Sequence, residues 1–231
     1  MKKNLILLSG WAQPPKTLKT LCRLLSDIFN LKRVTSTDFF SAKGMEPIFS
    51  EYKDGCFVLG WSMGGMIAME SATQWPDTIK GLILINSTAR FCSDKGYSFG
   101  LPGSHVRALR RSIKKDPEDT LIDHFTSVSS PHPVHVNILK DKAKQTLETG
   151  VDTLCSGLAY LLKTDLRRTV KSIQQRTLIL HGLKDVIVPS EAGTFLSKTI
   201  PISTIEYCEN IGHDLPMRRP RWIFEKVETW L

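Results

Sequence analysis

Three residues far apart in the chain have the types needed for acyl transfer: Ser62 within Gly60-Trp61-Ser62-Met63-Gly64, Asp185 within LKDVIVP and His213 within IGHDLP. A serine hydroxyl is a weak nucleophile until an imidazole takes its proton. The imidazole in turn needs a carboxylate that fixes its tautomer and stabilises the imidazolium. Small residues two positions either side of a serine let a strand and a helix crowd together while the hydroxyl is held up in a strained turn. An ordinary glycine-rich turn is the plain alternative for this stretch, because glycine and serine are common turn residues. Asp214 is a rival acid, although a residue adjacent to the histidine points away from its ring in most backbones. His181 reads as support for the acid's loop rather than as a reacting group.

These residues must be positioned by strands. Apolar runs suited to strands recur at Leu5 to Leu8, Leu31 to Thr35, Cys56 to Leu59, Ile79 to Ile85, Thr177 to Leu180 and Ser203 to Tyr207. Helical spacing separates most of them: Leu18 to Ile28, Met66 to Trp75 and Glu191 to Ser197. The alternation implies βαβ units and a parallel sheet covered on both faces. It breaks between Phe91 and about Arg168, where Ser104 to Lys115, a helix opening at Pro117, and stretches within Pro133 to Leu147 and Val151 to Leu162 read as helical. The expected architecture is therefore α/β, with a mostly parallel sheet of about six strands, a core formed by residues 1–90 and 166–231, and a helical cap inserted at 91–165. Groups at the carboxyl ends of parallel strands cluster, and Ser62, Asp185 and His213 fall on those ends in the chain order of an α/β-hydrolase.

An oxyanion formed at such a serine needs two main-chain donors, the amide after the nucleophile and one from the loop after the first strand. Here these are Met63 N–H and Trp11 N–H. Trp11 and Trp61 are either pocket walls or core. Arg107, Arg110, Arg111, Lys114 and Lys115 recur at helical spacing on one face, with Val106, Leu109 and Ile113 on another. That basic face suits an acidic helical partner or is simply solvated; Arg218, Arg219 and Arg221 could add to the same field.

The 231 residues carry a net charge of +8, spread along the chain without a basic tail or aromatic-studded stripe, which argues against a nucleic-acid partner. His105, His124, His132 and His135 lack the spacing of a metal site, and no metal or organic cofactor is expected. Five cysteines without paired spacing suit reduced thiols in the cytoplasm. The apolar run after Lys2 and Lys3 is too short for a signal segment or a membrane span.

LLSGWA, FVLGWSMGGMIAMESATQWPDTIKGLILINST, GLAYLLKTDLRR, LILHGLKDVIVP and IGHDLP together resemble the BioH-type pimeloyl-[acyl-carrier-protein] methyl ester carboxylesterases of biotin synthesis. The resemblance spans nearly the whole chain. It implies hydrolysis of a methyl ester on an acyl chain carried by acyl carrier protein, through Ser62, His213 and Asp185. It further implies that Trp11, Trp61, Met63 and Phe125 line the site. Acyl carrier protein would then be the acidic partner of Arg107, Arg110, Arg111 and Lys114, and the enzyme a cytoplasmic monomer. Two departures stand out. The chain starts at what would be the third strand of a full-size hydrolase, a trimmed fold whose second loop reads STDFFSAKGMEP. The family's carrier-binding arginines precede the pocket phenylalanine, whereas here the nearby positions hold Thr120 and His124. The alternatives are an ester or thioester hydrolase acting on free small molecules, and a non-catalytic acyl-carrier-binding protein.

Overall fold

A computed structural model describes residues 2–14, 16–34 and 42–231. Six strands, β1 (Lys3–Leu8), β2 (Phe29–Val34), β3 (Cys56–Trp61), β4 (Ile79–Ile85), β5 (Arg176–Gly182) and β6 (Ser203–Cys208), form one sheet in the order β2-β1-β3-β4-β5-β6. Every neighbouring pair is parallel. Most of the strands are buried on both sides, which is why they read as apolar runs rather than as alternating patterns. Thr35 and the Ser36–Ser41 part of the second loop lie outside the described residues.

The pleat sorts each strand between two cores. Ile6 and Leu8 pack on one face with α3 (Met63–Gln74) and α8 (Ser190–Thr199). Leu5 and Leu7 pack on the other with α1 (Lys19–Leu25) and α10 (Pro220–Trp230). Short helices α2 (Glu46–Phe49) and α9 (Leu215–Arg218) complete the chain order. Nothing in the sequence reading anticipated α10. Its buried residues are Ile223 and Val227, four apart, with Trp222, Phe224 and Trp230 packed partly buried against the same core.

Between β4 and β5 lie α4 (Gly103–Lys115), α5 (Pro117–Ser129), α6 (Val136–Leu147) and α7 (Val151–Lys163). Their apolar faces, with Val106, Ile113, Leu121, Phe125, Leu139, Leu154 and Leu158, join the core on the α3 side of the sheet. The segment leaves and re-enters at one place. Leu166 N–H donates to Ala89 C=O at 2.8 Å, and Arg90 bridges to Asp165. Arg90 and Arg167 share Asp94 and Asp165 in a ring of four ion pairs of 2.6 to 2.9 Å. The guanidinium of Arg167 holds the Asp165 carboxyl well below the usual carboxylate range, with further hydrogen bonds from the Arg167 N–H and from Arg90.

Candidate active site

Strand order reverses between β1 and β3, and the carboxyl ends of such a pair form the crevice where open parallel sheets bind ligands. Ser9-Gly10-Trp11 follows β1 there, and Ser62 follows β3. Ser62 has φ 55° and ψ −120°, a left-handed conformation costly for any residue with a side chain. The glycines around it explain how the turn closes. A Cβ on Gly60 would lie 2.5 Å from Gly64 O and Gly65 Cα, and one on Gly64 would lie 2.4 Å from Leu8 O. The first turn of α3 is thereby pressed against the end of β1, from which the loop carrying Trp11 departs. Met63 is the first residue of α3, so its N–H has no carbonyl to meet within the helix.

His213 Nδ1 and Asp185 Oδ2 are 2.7 Å apart, both side chains buried. The carboxylate accepts, so the ring proton sits on Nδ1 and Nε2 is left as a base. Asp185 Oδ1 accepts from Ile187 N–H and Val188 N–H, each at 2.8 Å, which fixes the carboxylate plane. Asp214, the rival acid, turns away from the ring and pairs through Oδ2 with Arg218. His181 is fully buried, and its Nε2–H donates to Val188 C=O at 2.9 Å. Burial keeps its ring neutral, and it lies 3.8 Å from Asp185 beneath the acid's loop.

A buried asparagine that the sequence reading passed over ties these loops together. Asn86, at φ 45° just after β4, accepts from Gly182 N–H and donates to Gly212 C=O, both at 2.9 Å. The acid's strand and the base's loop therefore hang on one amide. Its only sequence signal is a polar residue directly after the apolar run of β4. Trp61 Nε1–H adds a bond to His213 C=O at 3.0 Å.

A cavity of about 450 Å³ brings Ser62 and His213 together. Trp11 and Trp61 line it, with Leu109 of α4 and Leu158 of α7. The exposed lining residues His105, Ser112, Asp123 and Ser127 place its mouth between α4 and α5. Phe125 and Met63 do not reach this wall; both are buried in the core. The one-residue offset along α5 turns His124 to the cavity instead, edge-on to Trp11 with ring centres 4.8 Å apart. Burial, reinforced by His213 and Lys142, pushes the His124 ring down to about 3. Phe125 lies beneath the Lys142 ammonium, 4.2 Å from its ring centre. Arg107, Arg110, Arg111 and Lys114 are all exposed on α4, whose opposite side faces the cavity through Val106, Ala108 and Leu109. No helix among the described residues is long and apolar enough to cross a membrane.

A six-stranded parallel sheet with a left-handed serine turn at its switch point defines the class: this is an α/β-hydrolase, and an ester hydrolase of that type. Residues 43–218 match the family model described as Hydrolase_4, serine aminopeptidase S33, and the chain belongs to that family. Among curated relatives, the pimeloyl-[acyl-carrier protein] methyl ester esterase of Nitrosomonas europaea is 27% identical over 222 residues, 91% of this chain and 88% of the relative. Among solved structures, a bromoperoxidase from Bacillus anthracis superposes with a TM-score of 0.89 at 15% identity, over 100% of this chain and 92% of that one. The esterase EaEST from Exiguobacterium antarcticum gives 0.85 at 20% identity, over 99% and 92%.

Proposed function

We propose that this protein is a serine carboxylesterase that hydrolyses the methyl ester of pimeloyl-acyl carrier protein, with Ser62 as nucleophile, His213 as base and Asp185 as acid. The observation that carries the reading is the 2.7 Å His213–Asp185 contact behind a cavity that Ser62 and His213 share. In acylation Ser62 Oγ bonds to the ester carbon as His213 Nε2 takes its proton, and the carbonyl oxygen becomes an oxyanion. Trp11 N–H and Met63 N–H donate to that oxygen; one such donor is worth about 3 kcal/mol of transition-state stabilisation. Collapse breaks the bond to the alkoxy oxygen, which leaves as methanol with the proton from His213. Water then repeats the attack, its proton passing through His213 back to Ser62 Oγ, and the carboxylic acid departs.

The substrate assignment draws on relatives named as pimeloyl-[acyl-carrier protein] methyl ester esterases and on a cavity walled by apolar residues such as Trp11, Leu109 and Leu158. In this reading residues 91–165 act as a cap on a core of 1–90 and 166–231. The acidic carrier meets Arg107, Arg110, Arg111 and Lys114 outside α4 and passes its acyl chain through the mouth between α4 and α5. Complementation of a biotin auxotroph lacking its pimeloyl-ester esterase tests this. Growth without biotin is expected from the wild-type chain and not from Ser62→Ala. Failure of the wild type to restore growth, with methyl pimeloyl-carrier uncleaved in vitro, would overturn the substrate assignment.

A further inference from the structure

Five buried side-chain atoms among the described residues have no hydrogen-bond partner: Gln13 Oε1, Ser71 Oγ, Gln175 Oε1, His181 Nδ1 and Asp214 Oδ1. Gln13 alone of these residues lines the cavity. It is only 4% exposed, and neither end of its amide has a partner among the described residues. Leaving a buried polar group unpaired is costly, so one found in a native fold asks for a reason. Gln175, the other buried glutamine among the described residues, also leaves Oε1 unpaired but spends its Nε2–H on Ala72 C=O at 3.0 Å, which Gln13 does not.

The position of Gln13 supplies the reason. It follows Trp11 by two residues, in the loop that leaves β1. A Cβ built on Gly10 would stand 3.3 Å from Ser62 Cβ and 3.6 Å from Gln13 Cγ. Ser62 and Gln13 thus both border the same glycine, and that glycine begins the loop carrying the Trp11 amide. Which end of the amide is nitrogen is a matter of assignment, and the NH₂ can turn to whichever side offers an acceptor.

We propose that Gln13 is a catalytic residue of the ester hydrolase: its side-chain NH₂ donates to the oxygen on which negative charge develops when Ser62 attacks. This rests on the esterase reading and adds a side-chain donor to the two main-chain donors already assigned. It gives the NH₂ end of the amide the partner that the described residues do not supply. The partner of the amide is the transition state, and interactions made only there raise kcat rather than lower KM.

Three measurements test it together: steady-state hydrolysis of p-nitrophenyl butyrate, inhibition by an alkyl boronic acid that forms a tetrahedral adduct on Ser62, and inhibition by butyrate. Gln13→Met keeps the length and removes the amide, while Gln13→Glu keeps the shape and replaces the donor with an acceptor. Both should lower kcat by about 10- to 100-fold with KM nearly constant. Boronate affinity should fall in parallel, and butyrate inhibition should stay unchanged. In nitrogen-15-glutamine-labelled wild type, the Gln13 side-chain amide resonance should shift on adduct formation, a readout that requires no variant. Unchanged kcat, a rise in KM alone, or an amide resonance that ignores the boronate would overturn the assignment. A wild type that neither cleaves the ester nor binds the boronate would instead sink the esterase reading beneath it.

Discussion

Ser62 fills a site where alanine has room and only the hydroxyl is chemically special, so Ser62→Ala should abolish ester turnover while circular dichroism and melting temperature hold. Near-normal kcat in that variant would remove the serine from the mechanism. Asp185→Asn should fold and lose up to about 10⁴ in kcat, because an amide in place of the carboxylate favours the wrong histidine tautomer. Asp214→Asn is the control. Its carboxylate is taken up by Arg218, and a large loss there with little loss in Asp185→Asn would reverse the choice of acid. Ser62, Asp185 and His213 could be picked out from the chain because their loops follow strands in a recognisable order. Asn86 and Gln13 could not. Their significance depends on what lies opposite them, Gly182 and Gly212 for one and an unpaired buried amide oxygen for the other. Phe125, which the resemblance implied for the site, lies in the core, while its neighbour His124 faces the cavity.

At the scale of elements, α4 has two faces with different duties. Val106 and Ile113 are buried, while Arg107, Arg110, Arg111 and Lys114 stand in solvent. If this face steers an acidic carrier, Arg110→Glu combined with Arg111→Glu should lower kcat/KM for a carrier-bound ester by roughly tenfold or more. The wild-type rate on that substrate should fall as salt shortens the Debye length below about 8 Å. p-Nitrophenyl butyrate, uncharged and small, should be cleaved as before. Equal losses on both substrates would mean that the charges support the helix rather than a partner. Strand positions and the four inserted helices were legible because burial on two faces, or on one stripe, leaves a period in the sequence. The same period is present in the carboxyl-terminal α10, where Ile223, Val227 and Trp230 stand at i, i+4 and i+7.

For the molecule as a whole, the ring of Arg90, Asp94, Asp165 and Arg167 ties the start of the inserted helices to their end. The Asp165 carboxyl is held below its ordinary value, chiefly by Arg167. A depressed carboxylate contributes stability that is fully present above its unfolded-state pKa of about 3.9 and is lost as pH falls toward the folded value. Wild type should therefore melt above Asp165→Asn at pH 7, with the gap closing as pH drops through 4 and below. Because the ring is partly solvated, the gap at pH 7 should be modest and should shrink with salt. A gap independent of pH would mean that Asp165 acts through packing or backbone geometry instead of charge.

The closeness of Ala89 and Leu166 has another consequence. A segment whose two ends meet across a hydrogen bond is a detour in the chain. It can grow, shrink or be exchanged while β4 and β5 keep their pairing, because nothing in the strand register depends on the path taken between them. Mutation can thus rework the walls and entrance of the cavity that the inserted helices form without touching the loops that carry Ser62, Asp185 and His213. The part of the cavity that α4, α5 and α7 build can in this way change apart from the part that Trp11 and Trp61 build.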